Sequence, residues 1–336
     1  MAQISTYSLP QMTDLVNRSF ESAMETLPQE MKKSNIVIDD TLAMNTGLFK
    51  RFAERIHRNQ YASGRPEGDR SKSAKVQYGY EKDMEVSTVS LEVSITKLMR
   101  TAGKNKDILD QITTLTEVCP STMDLDLAHR LTFHTATSYT NRDGVSVDIT
   151  VGDGLALANA SHTLTGSALT YSNIIPGNPQ FSKGALESAE RLFTENTYNN
   201  LGEKMLMTPD TIVTTDDPNS CNQVRELLNA TANVDTSNSG TFNVYSNAYK
   251  HIKSSRIATD ANGATDSTKR KYWFLASSRH SDFYISVLEQ PYVKSPADGN
   301  NGEEFSSENW NYLTAATYGI AIVTGKWIKT STGLGS

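Results

Sequence analysis

Apolar residues recur in this chain at two spacings, and the changes from one to the other divide it. Between Thr13 and Lys33 they lie three and four apart: Leu15, Val16, Phe20, Ala23, Met24 and Leu27 share one face. An amphipathic helix is predicted there, opened by the capping oxygens of Thr13 and Asp14 and ended or kinked at Pro28. A short strand at Ile36 to Ile38 precedes a second helical stretch, Thr46 to His57. From Met84 the period becomes two, with Val89, Leu91, Val93 and Ile95 on one face and Val86, Thr88 and Ser90 on the other, as in a half-buried strand. Helical spacing returns over residues 107–134 through Ile108, Leu109, Ile112 and Leu115, then Leu127, Ala128 and Leu131. Pro120 lacks a backbone N–H and crowds the preceding turn, so a kink or two helices are expected, the second capped by Ser121.

The rest of the chain is shorter-ranged. Turn dipeptides Asp143-Gly144 and Asp153-Gly154 punctuate a strand-and-turn stretch. A helix is predicted near Ser182, a strand at Thr211 to Thr215, and a helix opened by Asp217 and Pro218. Residues 229–241 and 259–268 are polar low-complexity loops. Strand runs follow at Tyr272 to Ala276, Phe283 to Leu288 and Tyr318 to Val323, the last expected to continue to Trp327.

Residues 57–75 stand apart, with Gly, Pro and dense charge but almost no apolar side chain. Such a segment buries too little to offset its ordering entropy, and with the following strand it reads as a long β-hairpin reaching away from a core. The charged residues toward its tip are Arg65, Glu67, Asp69, Arg70, Lys72 and Lys75, and Lys82 follows on the returning strand beside Glu81. Mixed signs suit docking against another polar surface, where pairing sets register. A plain solvated loop is the alternative reading of the same residues.

Composition narrows the functional classes. Of 336 residues, 37% are hydrophobic and 21% charged, with a mean hydropathy of -0.46 and no run of about 18 apolar residues, so no membrane span is expected. Lys+Arg 32 against Asp+Glu 38 leaves a net charge of -6, which argues against a protein that grips nucleic acid through a basic face. Two cysteines, Cys119 and Cys221, exclude a disulfide framework or a thiolate zinc site. The N-terminal residues lack the basic start and apolar core of a signal peptide, so synthesis and assembly in a cytosol are expected. There is no nucleophile elbow and no phosphate-binding loop, and the six histidines lack metalloprotease spacing, so no cofactor, metal site or catalytic residue is expected. The nearest catalytic grouping is Asp153, Ser161 and His162; the nearest calcium-like loop, Asp260, Asn262 and Asp266, has Thr265 and Lys271 where a glycine and a glutamate belong.

The order of the pieces is more informative than any site. GDGLALANASHTLTG (152–166) is followed by YSNIIPG, the helix ALESAERLF, MTPDTIVTTDD, CNQVRELLNAT and FNVYSNAYK as the next strand. KYWFLASSRHSDFYISVLEQPYV and ATYGIAIVTGKWIKTSTG close the series. This collinear set, covering about Leu91 to Ser336, resembles the major capsid proteins of tailed bacteriophages, the fold first described for phage HK-ninety-seven. The resemblance implies an α+β capsid fold: an N-terminal arm and helices over 1–56, an extended loop over 57–98, a peripheral domain with a long spine helix over 99–150 and 306–336, and an axial domain over 151–305. Tyr318 to Lys329 would return to the sheet laid down before Lys97. Two departures are Pro120 within the spine helix and the long loop Thr259 to Lys271.

The function so implied is structural and non-enzymatic. Copies of the chain would form hexameric and pentameric capsomers of an icosahedral virion shell, with separate scaffold, portal and decoration proteins. The shell would enclose double-stranded DNA without sequence-specific binding, and the charged loop residues named above would lie over a neighbouring subunit. In some relatives a loop lysine is joined to a neighbour's asparagine; Lys72, Lys75 and Lys82 are ordinary residues for a charged loop, and no such link between subunits is expected. Two other readings stay open at this point: the shell of a bacterial cargo compartment with the same fold, and a β-rich hydrolase or carbohydrate-binding protein using Asp153, Ser161 and His162.

Overall fold

The computed structural model describes residues 8–26, 29–41, 49–232, 242–296 and 308–335. Most of the predicted 229–241 loop and the first residues of the predicted 46–57 helix lie outside them. Helices are α1 (Leu9–Thr26), α2 (Lys97–Thr101), α3 (Asn105–Thr132), α4 (Lys183–Glu195) and α5 (Pro218–Asn229). Strands are β1 (Val37–Thr41), β2 (Phe49–Ala53), β3 (His57–Arg58), β4 (Val76–Gln77), β5 (Glu81–Glu85), β6 (Ser87–Ile95), β7 (Ser138–Thr140), β8 (Ser146–Asp148), β9 (Thr211–Thr214), β10 (Lys250–Lys253), β11 (Trp273–Ala276), β12 (Phe283–Lys294), β13 (Trp310–Ile322) and β14 (Ile328–Ser331).

Two four-stranded sheets organise this α+β chain. The larger runs β1-β12-β13-β6, with β1 parallel to β12 and the other pairs antiparallel. The smaller runs β10-β9-β11-β14, with β10 parallel to β9. A single apolar core joins them: Leu127 and Leu131 of α3 pack with Phe283, Ile285, Tyr318 and Ile322 of the larger sheet and with Phe274 and Ile328 of the smaller. The front half of α3 (Ile108, Ile112, Leu115) packs instead with Met12 and Val16 of α1, Ile95 and Tyr312. Leu186, Ala189 and Phe193 of α4 meet Val224 and Leu227 of α5 on the other face of the smaller sheet, against Ile212, Trp273 and Leu275.

Several expectations are corrected. The first helix begins at Leu9, before Thr13, because Pro10 fits a first turn whose N–H groups are free anyway and the Ser8 N–H donates back to Gln11 Oε1 at 3.0 Å. Residues 49–53 form a strand, not a helix, because β2 pairs with β5 from Phe49↔Glu85 to Ala53↔Glu81. Pro120 breaks nothing: α3 runs through it for 28 residues, held by core contacts on both sides of the missing hydrogen bond. FNVYSNAYK is mainly turn, and the strand beyond α5 starts at Lys250. The last strand run is two strands in two sheets: Trp310 to Tyr318 pairs with β6, whereas Ile328 to Ser331 pairs with β11. Thr324 to Trp327 is the crossing between them.

Candidate functional site

The hairpin predicted from Gly, Pro and charge is built on arms that start earlier than residue 57. β2 and β3 return as β4 and β5, so the paired part spans residues 49–58 and 76–85. Its root is seated by apolar contacts: Phe52 stacks on Tyr284 with ring centroids 4.3 Å apart, and Met84 packs with Ala321 and Val323 of the larger sheet. The arms are cross-braced by Arg51, whose Nε and Nη2 meet the two oxygens of Asp83 at 2.6 and 2.9 Å. Lys50 reaches Asp40 at 2.5 Å.

Under the root lies a buried polar cluster. Glu54 Oε1 accepts from Lys326 Nζ at 2.5 Å, and Oε2 accepts from Asn200 Nδ2 at 2.9 Å and from the Tyr80 N–H at 3.3 Å. Lys326 Nζ also donates to Asn200 Oδ1 at 2.6 Å, and His57 Nε2 lies 3.3 Å from Glu54 Oε1. Burial opposes ionisation of Glu54, yet His57, Lys326 and Asn200 outweigh it and hold the carboxyl down to about 2. Gly79 is required where the returning arm passes this side chain, because a Cβ there would fall on Glu54.

Beyond the root, residues 59–75 have little to rest on. The Gln60 N–H and Asn59 Nδ2 reach Glu203 at 2.9 and 3.5 Å, and the Lys75 N–H closes the loop on Asn59 Oδ1 at 2.7 Å. A turn from Pro66 to Asp69 is completed by Gly68 at φ 82°. Every residue from 59 to 75 is exposed. Among the described residues, no ion pair engages Arg65, Glu67, Asp69, Arg70, Lys72 or Lys75. Lys82 is different: its side chain is 16% exposed and Nζ is bound to Asp148 Oδ2 at 2.6 Å and Thr150 Oγ1 at 2.8 Å. It braces the arm against the β7–β8 hairpin and so is tied within its own chain.

The sequence pointed to none of Glu54, Asn200 or Lys326. The one available signal was the apolar run GIAIVTGKWIK, whose lysines sit where burial is expected. Lys326 is 4% exposed and Lys329 0%. Burial without a carboxylate partner pushes Lys329 down to about 7.

Asp153 and His162 do meet, Oδ2 to Nδ1, at 2.8 Å, but the other ring nitrogen faces the Leu157 carbonyl at 3.1 Å. Burial opposes ionisation of Asp153, and the bonds from His162 and from the Leu155 and Thr163 N–H groups outweigh it. The imidazole is 0% exposed, and Ser161 is tied through its backbone N–H to Asn159 Oδ1. With both ring nitrogens facing acceptors other than a hydroxyl, this grouping lacks the base-to-nucleophile contact of a triad and pins the 152–162 turn instead. Asp260 Oδ1 accepts the Asn262 and Ala264 N–H groups, an ordinary turn. No three His, Cys, Asp or Glu side chains converge as metal ligands, and no helix is long and apolar enough to cross a membrane, among the described residues.

No family model matches the sequence, and no curated protein matches it. Solved structures do. The structure of Mycobacterium phage Patience aligns over 97% of this chain and 90% of its own, at 9% identity and a TM-score of 0.53. A capsid structure of the cyanophage P-SCSP1u covers 88% and 85% at 12% identity and a TM-score of 0.49. A virus-like particle from Pyrococcus furiosus covers 96% and 98% at 9% identity and 0.45. At such identities the likeness is one of fold, and over nearly the whole length it is the fold of the tailed-phage major capsid proteins.

Proposed function

We propose that this chain is the structural subunit of an icosahedral shell, made of hexameric and pentameric groupings of itself and enclosing double-stranded DNA, with no enzymatic activity. Residues 49–85 serve as the extended loop, α3 with the larger sheet as the peripheral domain, and the smaller sheet with α4 and α5 as the axial domain. The observation that carries the proposal is the hairpin tip. It is fully exposed, and between residues 59 and 75 it has four basic residues (Arg65, Arg70, Lys72, Lys75) and two acidic ones (Glu67, Asp69), so 4 - 2 gives +2. The rest of the chain then carries -6 - 2 = -8. A basic projection on an acidic body is complementary to another copy of itself, and such head-to-tail contacts close into rings and shells.

The test is assembly. Expressed protein should sediment as large particles visible by negative staining, and removing residues 62–73 should leave a folded subunit, by far-UV circular dichroism, that forms none. A wild-type chain that persists as a monomer overturns the shell reading. Double-stranded DNA protected from nuclease inside particles from infected cells is the expected content; a protein cargo there instead overturns the genome-enclosing part.

A further inference from the structure

The larger sheet ends differently on its two sides. At one edge β1 is five residues long and carries Asp39 and Asp40, features that discourage another strand from joining. At the other edge β6 is nine residues long, and its register with β13 is unbroken from Ser87↔Tyr318 to Ile95↔Trp310. β6 has one charged residue, Glu92, and no proline, lysine or bulge. From Ser87 to Ser94 every residue is exposed or half-buried, Leu91 at 37%. Among the described residues, no strand pairs with its outer side. A flat, open edge of this length is a template for a further strand.

The sequence of β6 names the strand that fits. Ser-Thr-Val-Ser-Leu-Glu-Val-Ser-Ile reads nearly the same in both directions about Leu91. Laid antiparallel on a second copy about that centre, Val89 falls opposite Val93, Leu91 opposite Leu91, Thr88 opposite Ser94 and Ser90 opposite Glu92. Apolar residues meet on one face and polar ones on the other, and no like charges are directly opposed. The same spacing, carried two positions past the strand ends, sets Lys97 level with Glu85 of the other copy, both exposed and of opposite charge. Helix α3 leaves room for the pairing. Its Cys119 sits over the seam between β6 and β13, with the Val89 carbonyl 3.9 Å from Sγ and Thr314 beside it. With strands about 4.8 Å apart, two α3 helices so placed would lie about 10 Å from each other across the axis, an ordinary packing distance.

We infer that β6 is a self-docking edge: two copies of the chain pair β6 with β6 about a two-fold axis at Leu91, joining their four-stranded sheets into one. Each copy contributes the same patch, as a two-fold contact requires. This surface is separate from the charged hairpin tip, and the contact stands whether or not the copies go on to build a shell.

Disulfide trapping in the full chain tests it. Leu91→Cys places two sulfurs across the axis, where facing Cα atoms are about 4.5–5.5 Å apart and a disulfide spans about 4.4–6.8 Å. Under copper-phenanthroline oxidation the variant should convert almost completely to a band of twice the chain mass on a non-reducing denaturing gel, reversed by a thiol. Ser94→Cys, whose counterpart in the other copy lies about 20 Å away along the strands, should stay single, as should the wild type with its buried Cys119 and Cys221. A folded Leu91→Cys protein that stays single overturns the proposal. Ser94→Cys joining as fully as Leu91→Cys overturns the register. Should Leu91→Cys misfold, Ser90→Cys with Glu92→Cys in one chain reads the same register through two exposed positions, and a folded protein without joined chains overturns it. Because the gel reads covalent pairs, a sample that forms no particles yet gives the Leu91→Cys pair drops the shell and keeps this contact; particles without the pair do the reverse.

Discussion

Asp282 and the buried histidines titrate in opposite senses across one pH window. Burial raises the Asp282 carboxyl from 3.8 to about 6, against the Thr324 hydroxyl at 2.6 Å and the charges of Arg55 and Lys326, and with the help of nearby Glu54. Burial lowers His129, His134 and His251 from 6.5 to about 4. The folded state binds the Asp282 proton more tightly than the unfolded chain does, so that contribution is full below 3.8 and is lost as pH rises through about 6. The histidine contributions are full above 6.5 and are lost as pH falls through about 4. Asp282→Asn should therefore be more stable than wild type at pH 7, by at most about 3 kcal/mol, since each pKa unit is about 1.4 kcal/mol. It should also lose more on acidification, because the carboxyl no longer offsets the histidines. Thermal unfolding midpoints at neutral and mildly acidic pH check this, and parallel curves for the two proteins would contradict it.

At the scale of elements, the hairpin's aim depends on Gly319 of β13, where β5 crosses the larger sheet. A Cβ there would press on the Glu85 carbonyl and the Met84 side chain, which is 1% exposed. Gly319→Leu should cost about 1–3 kcal/mol through overpacking and should abolish particle formation while the far-UV spectrum stays native. Particles of wild-type yield from that variant would show that the crossing has slack. What the sequence disclosed about such elements follows their range. α4 and α5 were legible because their signals are local: Ser182 Oγ accepts the Ala185 N–H at 3.2 Å, and Asp217 Oδ2 accepts the Ser220 N–H at 3.1 Å ahead of Pro218's helix. The hairpin tip was legible because exposure follows from its lack of apolar residues. Phe49 to Ala53 was misread because its partner strand lies beyond the tip, and pairing there overrides helical spacing. The root cluster left almost no trace, since Glu54 and Lys326 are 272 positions apart and Lys326 and Asn200 126. Lys82 read as a free basic residue because nothing local shows Asp148 waiting for it.

Over the whole molecule, the tip and the body carry opposite charge, and this sets a direction for association. Changing Arg65, Arg70 and Lys72 to Glu turns the tip from +2 to +2 - 6 = -4. Light scattering should then show no assembly at ~0.1 M salt, and wild-type assembly should slow as the screening length shrinks toward about 3 Å near 1 M. Unchanged assembly of the triple variant would place the driving contacts elsewhere. The larger sheet adds a constraint in time. Its two central strands are β12 and β13, and they are flanked by β1 and β6 from the first third of the chain. β1 finds its place only once residues 283–287 have left the ribosome, and β6 only once residues 310–318 have, so folding has the high contact order of a slow folder. The hairpin root rests on that same late sheet, through Met84 against Ala321 and Val323. On the proposed shell reading, a nascent chain thus has no correctly aimed hairpin to offer a neighbour until β13 has been made.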